Sequence, residues 1–154
     1  MEHDEIEILL IEDNPHEAEL TIRSLRRNKL DGRLLHVSDG VEALDLIFPA
    51  GLPDDAPLPF HPKVILLDLK LPRVDGLEVL RKIKTDARTR MIPVVVLTSS
   101  REDRDVVESY QLGVNSYMVK PVNFTDFSNA VGELGLYWMI RNLPPPIGHK
   151  SPSS

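Results

Sequence analysis

The chain has no cysteine among its 154 residues, which excludes disulfides, thiol nucleophiles and thiolate metal sites. Positive charge is in short supply: 18 Lys and Arg stand against 24 Asp and Glu, a formal charge of −6. Nucleic acid is therefore not an expected partner, since its phosphate backbone is bound by clustered Lys and Arg. Long hydrophobic runs are missing too, and none approaches the roughly 18 residues that a membrane span needs. The acidic start, Met1 to Glu5, has none of the apolar stretch of a secretory signal. The five histidines have no metal-ligand spacing and read as surface or cap residues. What is left is an acidic domain, expected in the cytoplasm, whose 42% apolar residues suffice for one core.

Those apolar residues come in short runs that alternate with helical patterns. Residues 6–11, 34–37, 63–67, 93–97 and 116–119 read as strands. Asn14-Pro15 with Glu17 reads as an N-cap, a first-turn proline and a capping-box acid, opening a helix that runs to about Lys29. Asp39-Gly40 opens a second helix through Ile47, and Asp75-Gly76 a third through Lys84. The charged run Arg101–Asp105 starts a fourth that ends at Gly113. A fifth carries Phe124, Phe127, Val131, Leu134 and Trp138 at spacings of 3 and 4. Between residues 49 and 62 stand five prolines without periodicity; this is a loop, either functional or an exposed insertion, and insertion is the favoured reading. Beyond the last helix, Pro144-Pro145-Pro146 and a Ser/Pro tail are expected to be disordered. The chain thus divides into one domain over 5–141 and a tail over 142–154.

Five strands alternating with five helices predict an α/β fold, a doubly wound parallel sheet in the order 2-1-3-4-5. In that order the ends of strands one and three flank the topological switch point, where ligands bind. Glu12-Asp13 and Asp68 fall there, Thr98 ends strand four beside Asp68, and Lys120 follows strand five. Three carboxylates within about 4–6 Å repel by roughly 4 kcal/mol per pair at an effective dielectric near 20. They stay together only around a cation or with raised pKa values. Oxygen ligands with open positions suit Mg²⁺, and a carboxylate beside it can accept a phosphoryl group.

The motifs Ile-Glu-Asp-Asn at 11–14, Leu-Leu-Asp-Leu-Lys-Leu-Pro at 66–72, Val-Leu-Thr-Ser at 96–99 and Tyr-Met-Val-Lys-Pro at 117–121 occur in this order. Together they make the chain resemble the response-regulator receiver domains of the CheY-like family, which are flavodoxin-like in fold. The resemblance implies that Asp68 is the phosphoacceptor and that Asp13 is a direct Mg²⁺ ligand. It makes Glu12 a ligand through water and gives Lys70 a role through its backbone carbonyl. Thr98, Ser99 and Tyr117 would then be phosphate-binding and switch residues, Lys120 the phosphate-binding lysine, and Lys120-Pro121 a cis peptide. It further implies a non-enzymatic phosphoprotein of a two-component pathway, phosphorylated by a sensor histidine kinase. The loop before strand three and the Tyr137-Trp138 ending resemble the stand-alone regulators paired with bacterial phytochromes and related kinases.

Three other readings compete. An aspartate-nucleophile phosphatase wants a second acid two residues after Asp68, where Lys70 stands. A flavin or nucleotide binder wants a Gly- or Ser/Thr-rich cradle where Glu12-Asp13-Asn14 would repel phosphate. A receiver-like adaptor acting by contact alone is the remaining alternative. The stretch 134–140 is apolar nearly all round, so a homodimer through the last helix, with Leu134 and Trp138 on its face, is expected. With only about fourteen residues after Ile140, no effector domain is expected, and output would run through protein contacts.

Overall fold

A computed structural model describes residues 7–27, 34–71, 74–99 and 112–133. Within them lie β1 (Ile8–Ile11), α1 (Pro15–Arg26), β2 (Leu34–Val37), α2 (Gly40–Ile47), β3 (Val64–Asp68), α3 (Gly76–Thr85), β4 (Val94–Thr98), β5 (Ser116–Val119) and α4 (Phe124–Glu133). All five strands form one sheet in the order β2-β1-β3-β4-β5, and every pair is parallel. The fold is the expected doubly wound one. Four of the five expected helices are among the described residues; the stretch 100–111, where the other was placed, lies outside them. So do Leu134, Trp138 and the 142–154 tail. Among the described residues no helix is long and apolar enough to cross a membrane.

The sheet is central because its inner strands are apolar on both faces. Every residue of β1, β3 and β4 is buried, and the two-residue period of a strand divides them between two layers. Leu9, Ile11, Ile65, Leu67, Val94 and Val96 pack with α2 and α3. Ile8, Leu10, Val64, Leu66, Val95 and Leu97 pack with α1 and α4 through Ala18, Leu25, Phe127, Ala130 and Val131. The edge strands β2 and β5 are only partly covered.

Helix starts follow the expected chemistry with one correction. Asn14 Oδ1 accepts from the N–H groups of His16 and Glu17 at 2.9 and 3.0 Å, Asp39 Oδ1 from Glu42 N–H at 2.8 Å, and Asp75 Oδ1 from Leu77 N–H at 3.2 Å. The capping box expected of Glu17 does not close. The Asn14 N–H donates instead to Glu12 Oε2 at 3.2 Å, because Glu12 is held close by the sheet.

Two glycines draw the segment after β3 tight against the body. A Cβ on Gly76 would lie 2.6 Å from the Asp68 carbonyl oxygen and from Leu69 backbone atoms, and one on Gly40 would lie 2.5 Å from the Val74 carbonyl oxygen. The Gly76 N–H also donates to the Leu69 carbonyl at 3.1 Å. Only residues without a side chain allow this approach, and it fixes the backbone that leaves Asp68.

The proline-rich loop is not merely an exposed insertion. Leu58 and Phe60 are buried in the layer that holds α2 and α3. Arg88 donates to the Ala56 carbonyl at 3.0 Å, is paired with Asp86 at 2.8 Å, and stands 5.9 Å from the Phe48 ring centroid. The prolines stiffen a segment that inserts two apolar anchors into the core. Phe60→Ala is expected to lower the unfolding free energy by about 3–5 kcal/mol in urea titration, the usual cost of emptying a buried aromatic site. A loss below about 1 kcal/mol would show that the loop does not carry core packing.

Candidate functional site

Parallel strands that end together bring their terminal residues together. The ladders stop at Ile11 beside Leu67 and Val37, at Asp68 beside Leu97, and at Thr98 beside Val119. Glu12 and Asp13 follow β1, Asp68 and Thr98 close β3 and β4, and Lys120 follows β5. The relative exposures of Glu12, Asp68 and Thr98 are 0, 2 and 3%, whereas Asp13 is exposed. Two of the acids are therefore buried where the strands end, and Asp13 is the solvent-facing one.

One carboxylate oxygen from each of Glu12, Asp13 and Asp68 can be chosen so that all lie within 4.8 Å of one another. Lys120 Nζ lies 3.1 Å from Asp68 Oδ2, to which it donates, and 3.5 Å from Glu12 Oε1. The Lys70 N–H donates to Asp68 Oδ1 at 3.2 Å. Thr98 enters through its backbone, its carbonyl accepting from the Lys120 N–H at 2.9 Å. The Lys120-Pro121 peptide is cis, as expected. Ser99 is exposed next to Thr98, and Tyr117 is half-buried on β5, packed against the layer of α2 and α3.

Electrostatics at the site are uneven. Burial pushes the Glu12 carboxyl up from 4.5 to about 8, and the Asp68 carboxyl beside it adds to the rise, while the Asn14 N–H and Lys120 draw it partly back. Burial opposes the Lys120 charge, but Asp68 and Glu12 outweigh it and hold the ammonium above its ordinary range. Glu12 Oε1 is buried without a hydrogen bond, an uncommon and costly state for a carboxylate oxygen. An unsatisfied buried oxygen facing two further carboxylates fits a small hard cation, and with open positions left over the donor set suits Mg²⁺.

The structure brings together Glu12, Asp13, Asp68 and Lys120, sets Thr98 beside them, and leaves Ser99 and Tyr117 on the flank. One participant was not foreseen. By sequence His36 counts with the other histidines as a surface or cap residue, yet it is half-buried and its Nε2 lies 2.8 Å from the Glu12 carbonyl oxygen. Its place in the strand that neighbours β1, just before Asp39-Gly40, was the available signal.

The profile of the response regulator receiver domain matches residues 8–132. The chain belongs to the response-regulator receiver family. It is similar to the solved bacteriophytochrome response regulator RtBRR, with 48% identity and a TM-score of 0.75, covering 92% of this chain and 84% of that one. It is also similar to the probable methanogenesis regulatory protein FilR2 of Methanothrix harundinacea, 43% identical over 90% of this chain and 86% of that protein. The Mn²⁺-bound form of response regulator Rcp1, a Synechocystis protein, is 37% identical with a TM-score of 0.64, covering 90% of this chain and 97% of that one. These likenesses establish a receiver of two-component signalling, and receivers are signalling modules rather than enzymes.

The raised Glu12 pKa has a consequence for stability. Between pH 4.5 and about 8 the metal-free folded protein holds a proton on Glu12 that the unfolded chain has released. Its stability should therefore fall as pH rises through that window. Denaturant titrations in EDTA check this: Glu12→Gln should remove that part of the slope, and an unchanged pH profile would contradict the assignment. Added Mg²⁺, which needs the carboxylate, should bind more tightly as pH rises across the same range.

Proposed function

We propose that the protein is a phosphorylation-operated switch in which Asp68 receives a phosphoryl group from a sensor histidine kinase. The observation that carries this reading is the Lys120 ammonium, 3.1 Å from Asp68 Oδ2 and 3.5 Å from Glu12 Oε1, beside the three-carboxylate cluster. A lysine so placed neutralises charge on a transferring phosphoryl group, and such transfers depend on positioning and charge neutralisation. Asp13 and Asp68 would hold Mg²⁺ directly, Glu12 through water and Lys70 through its carbonyl. When bound, the ion supplies a second centre of positive charge for the phosphoryl oxygens.

In the transfer the N–P bond of the kinase phosphohistidine breaks as an Asp68 oxygen forms the new O–P bond. The imidazole keeps the bonding electron pair and takes up a proton. The acyl phosphate adds roughly −1.5 to −2 charge in place of a carboxylate. Thr98, at the end of β4, donates its hydroxyl to the new oxygens, with Ser99 beside it. Tyr117 moves into the space Thr98 leaves, and the change reaches the surface at β5 and α4. Likeness to RtBRR supports a bacterial phytochrome as the kinase, and the apolar stretch 134–140 supports association of two copies through the last helix.

Incubation with Mg²⁺ and acetyl phosphate, followed by intact mass, tests the reading. Wild type should gain one phosphoryl mass, and Asp68→Asn should gain none. Absence of labelling on wild type at any Mg²⁺ concentration would overturn the phosphoacceptor role and favour a receiver that acts by contact alone.

A further inference from the structure

The sheet ladders end at Ile11, one residue before the acidic pair that the site needs. Beyond that point the backbone of Glu12 and Asp13 has no strand pairing to orient it. Two contacts from β2 take over. The Glu12 N–H donates to the Val37 carbonyl at 3.1 Å, which fixes the peptide entering Glu12. The Glu12 carbonyl, part of the peptide linking Glu12 to Asp13, lies 2.8 Å from His36 Nε2. A carbonyl only accepts, so His36 Nε2 carries the hydrogen.

This second contact sits at an informative place. The orientation of the Glu12-Asp13 peptide is set by ψ of Glu12 and φ of Asp13, and those two dihedrals aim the two carboxylates. Glu12 is fully buried and Asp13 is exposed, so packing restrains the first side chain far more than the second. His36 reaches this carbonyl because it is the Cα partner of Leu10, two residues before Glu12 on the neighbouring strand. Parallel register puts both side chains on one face, and an imidazole spans the remaining distance along the strand.

We infer that His36 is a positioning residue for the metal site: its imidazole N–H, by holding the Glu12 carbonyl, sets the peptide that aims the Glu12 and Asp13 carboxylates at the cation. It touches neither metal nor phosphoryl group. Groups that orient metal ligands from outside the coordination sphere commonly matter to affinity by about 10–100-fold. The inference rests on the reading that these acids hold Mg²⁺.

The test is calorimetric titration of Mg²⁺ into the metal-free protein for wild type, His36→Phe, His36→Leu and His36→Gln. The Phe and Leu variants lack a donor, whereas Gln retains an N–H of similar reach. Binding should weaken about tenfold in the first two and stay within about threefold of wild type in the third. Metal-free melting temperatures should not follow that order. Phosphorylation of His36→Phe by acetyl phosphate should recover when Mg²⁺ is raised about tenfold. Wild-type affinity in folded His36→Phe or His36→Leu would overturn the inference while leaving the phosphoacceptor reading intact. Failure of both to fold would do the same by assigning His36 to stability alone. A wild type that binds no Mg²⁺ would instead overturn the metal reading on which the inference stands.

Discussion

Three carboxylates share the end of one sheet, and the ammonium of Lys120 is the attraction that offsets their repulsion. At 3.1 Å from Asp68 and 3.5 Å from Glu12 it bridges the two buried acids. Unbridged, like charges this close cost about 4 kcal/mol per pair at an effective dielectric near 20. Burial first, and the Asp68 carboxyl second, keep a proton on Glu12 up to about pH 8 despite Lys120, and Glu12 Oε1 has no hydrogen bond. Among the described residues the cluster holds three carboxyl groups against the Lys120 ammonium. That imbalance suits it to a divalent cation, and the cation in turn permits a phosphoryl group to approach an anionic nucleophile.

Much of the remaining structure serves to hold that frustrated cluster still. Fully buried β1, β3 and β4 are rigid mounts, and parallel pairing makes their ends coincide. Gly76 and Gly40 let the chain after Asp68 fold back at a distance that no side chain would permit. Lys120 is tied to β4 through the Thr98 carbonyl. At the other end of the same strands, Lys84 donates to the carbonyls of Arg90 and Ile92 and to Asn115 Oδ1, which also accepts from the Val94 N–H. The entries to β4 and β5 are thereby joined, which helps keep the far ends of those strands in register.

The inner strands β1, β3 and β4 were legible as short, β-branched-rich apolar runs bounded by polar and turn residues, and the helix starts because Asn14, Asp39 and Asp75 cap as their chemistry demands. The acidic cluster was legible once strand order was deduced, since topology converts distance along the chain into proximity. Other features depended on packing that no local pattern encodes. Glu17 occupies the capping-box position, but Glu12 takes the Asn14 N–H. The proline-rich loop lacks periodicity because Leu58 and Phe60 act as isolated anchors rather than as one face of an element. His36 looked like any histidine until the β1–β2 register set it beside the Glu12 carbonyl. In each case the deciding partner lies on another element.

The most direct measurement of the central claim is to locate the phosphoryl group chemically. Reduction of the Mg²⁺- and acetyl phosphate-treated protein with borohydride converts an aspartyl phosphate to homoserine, and peptide mass mapping finds the converted residue. Homoserine is expected at position 68 and at no other acid. Conversion at Asp13 or elsewhere, or phosphorylation without conversion at 68, would contradict the phosphoacceptor role of Asp68.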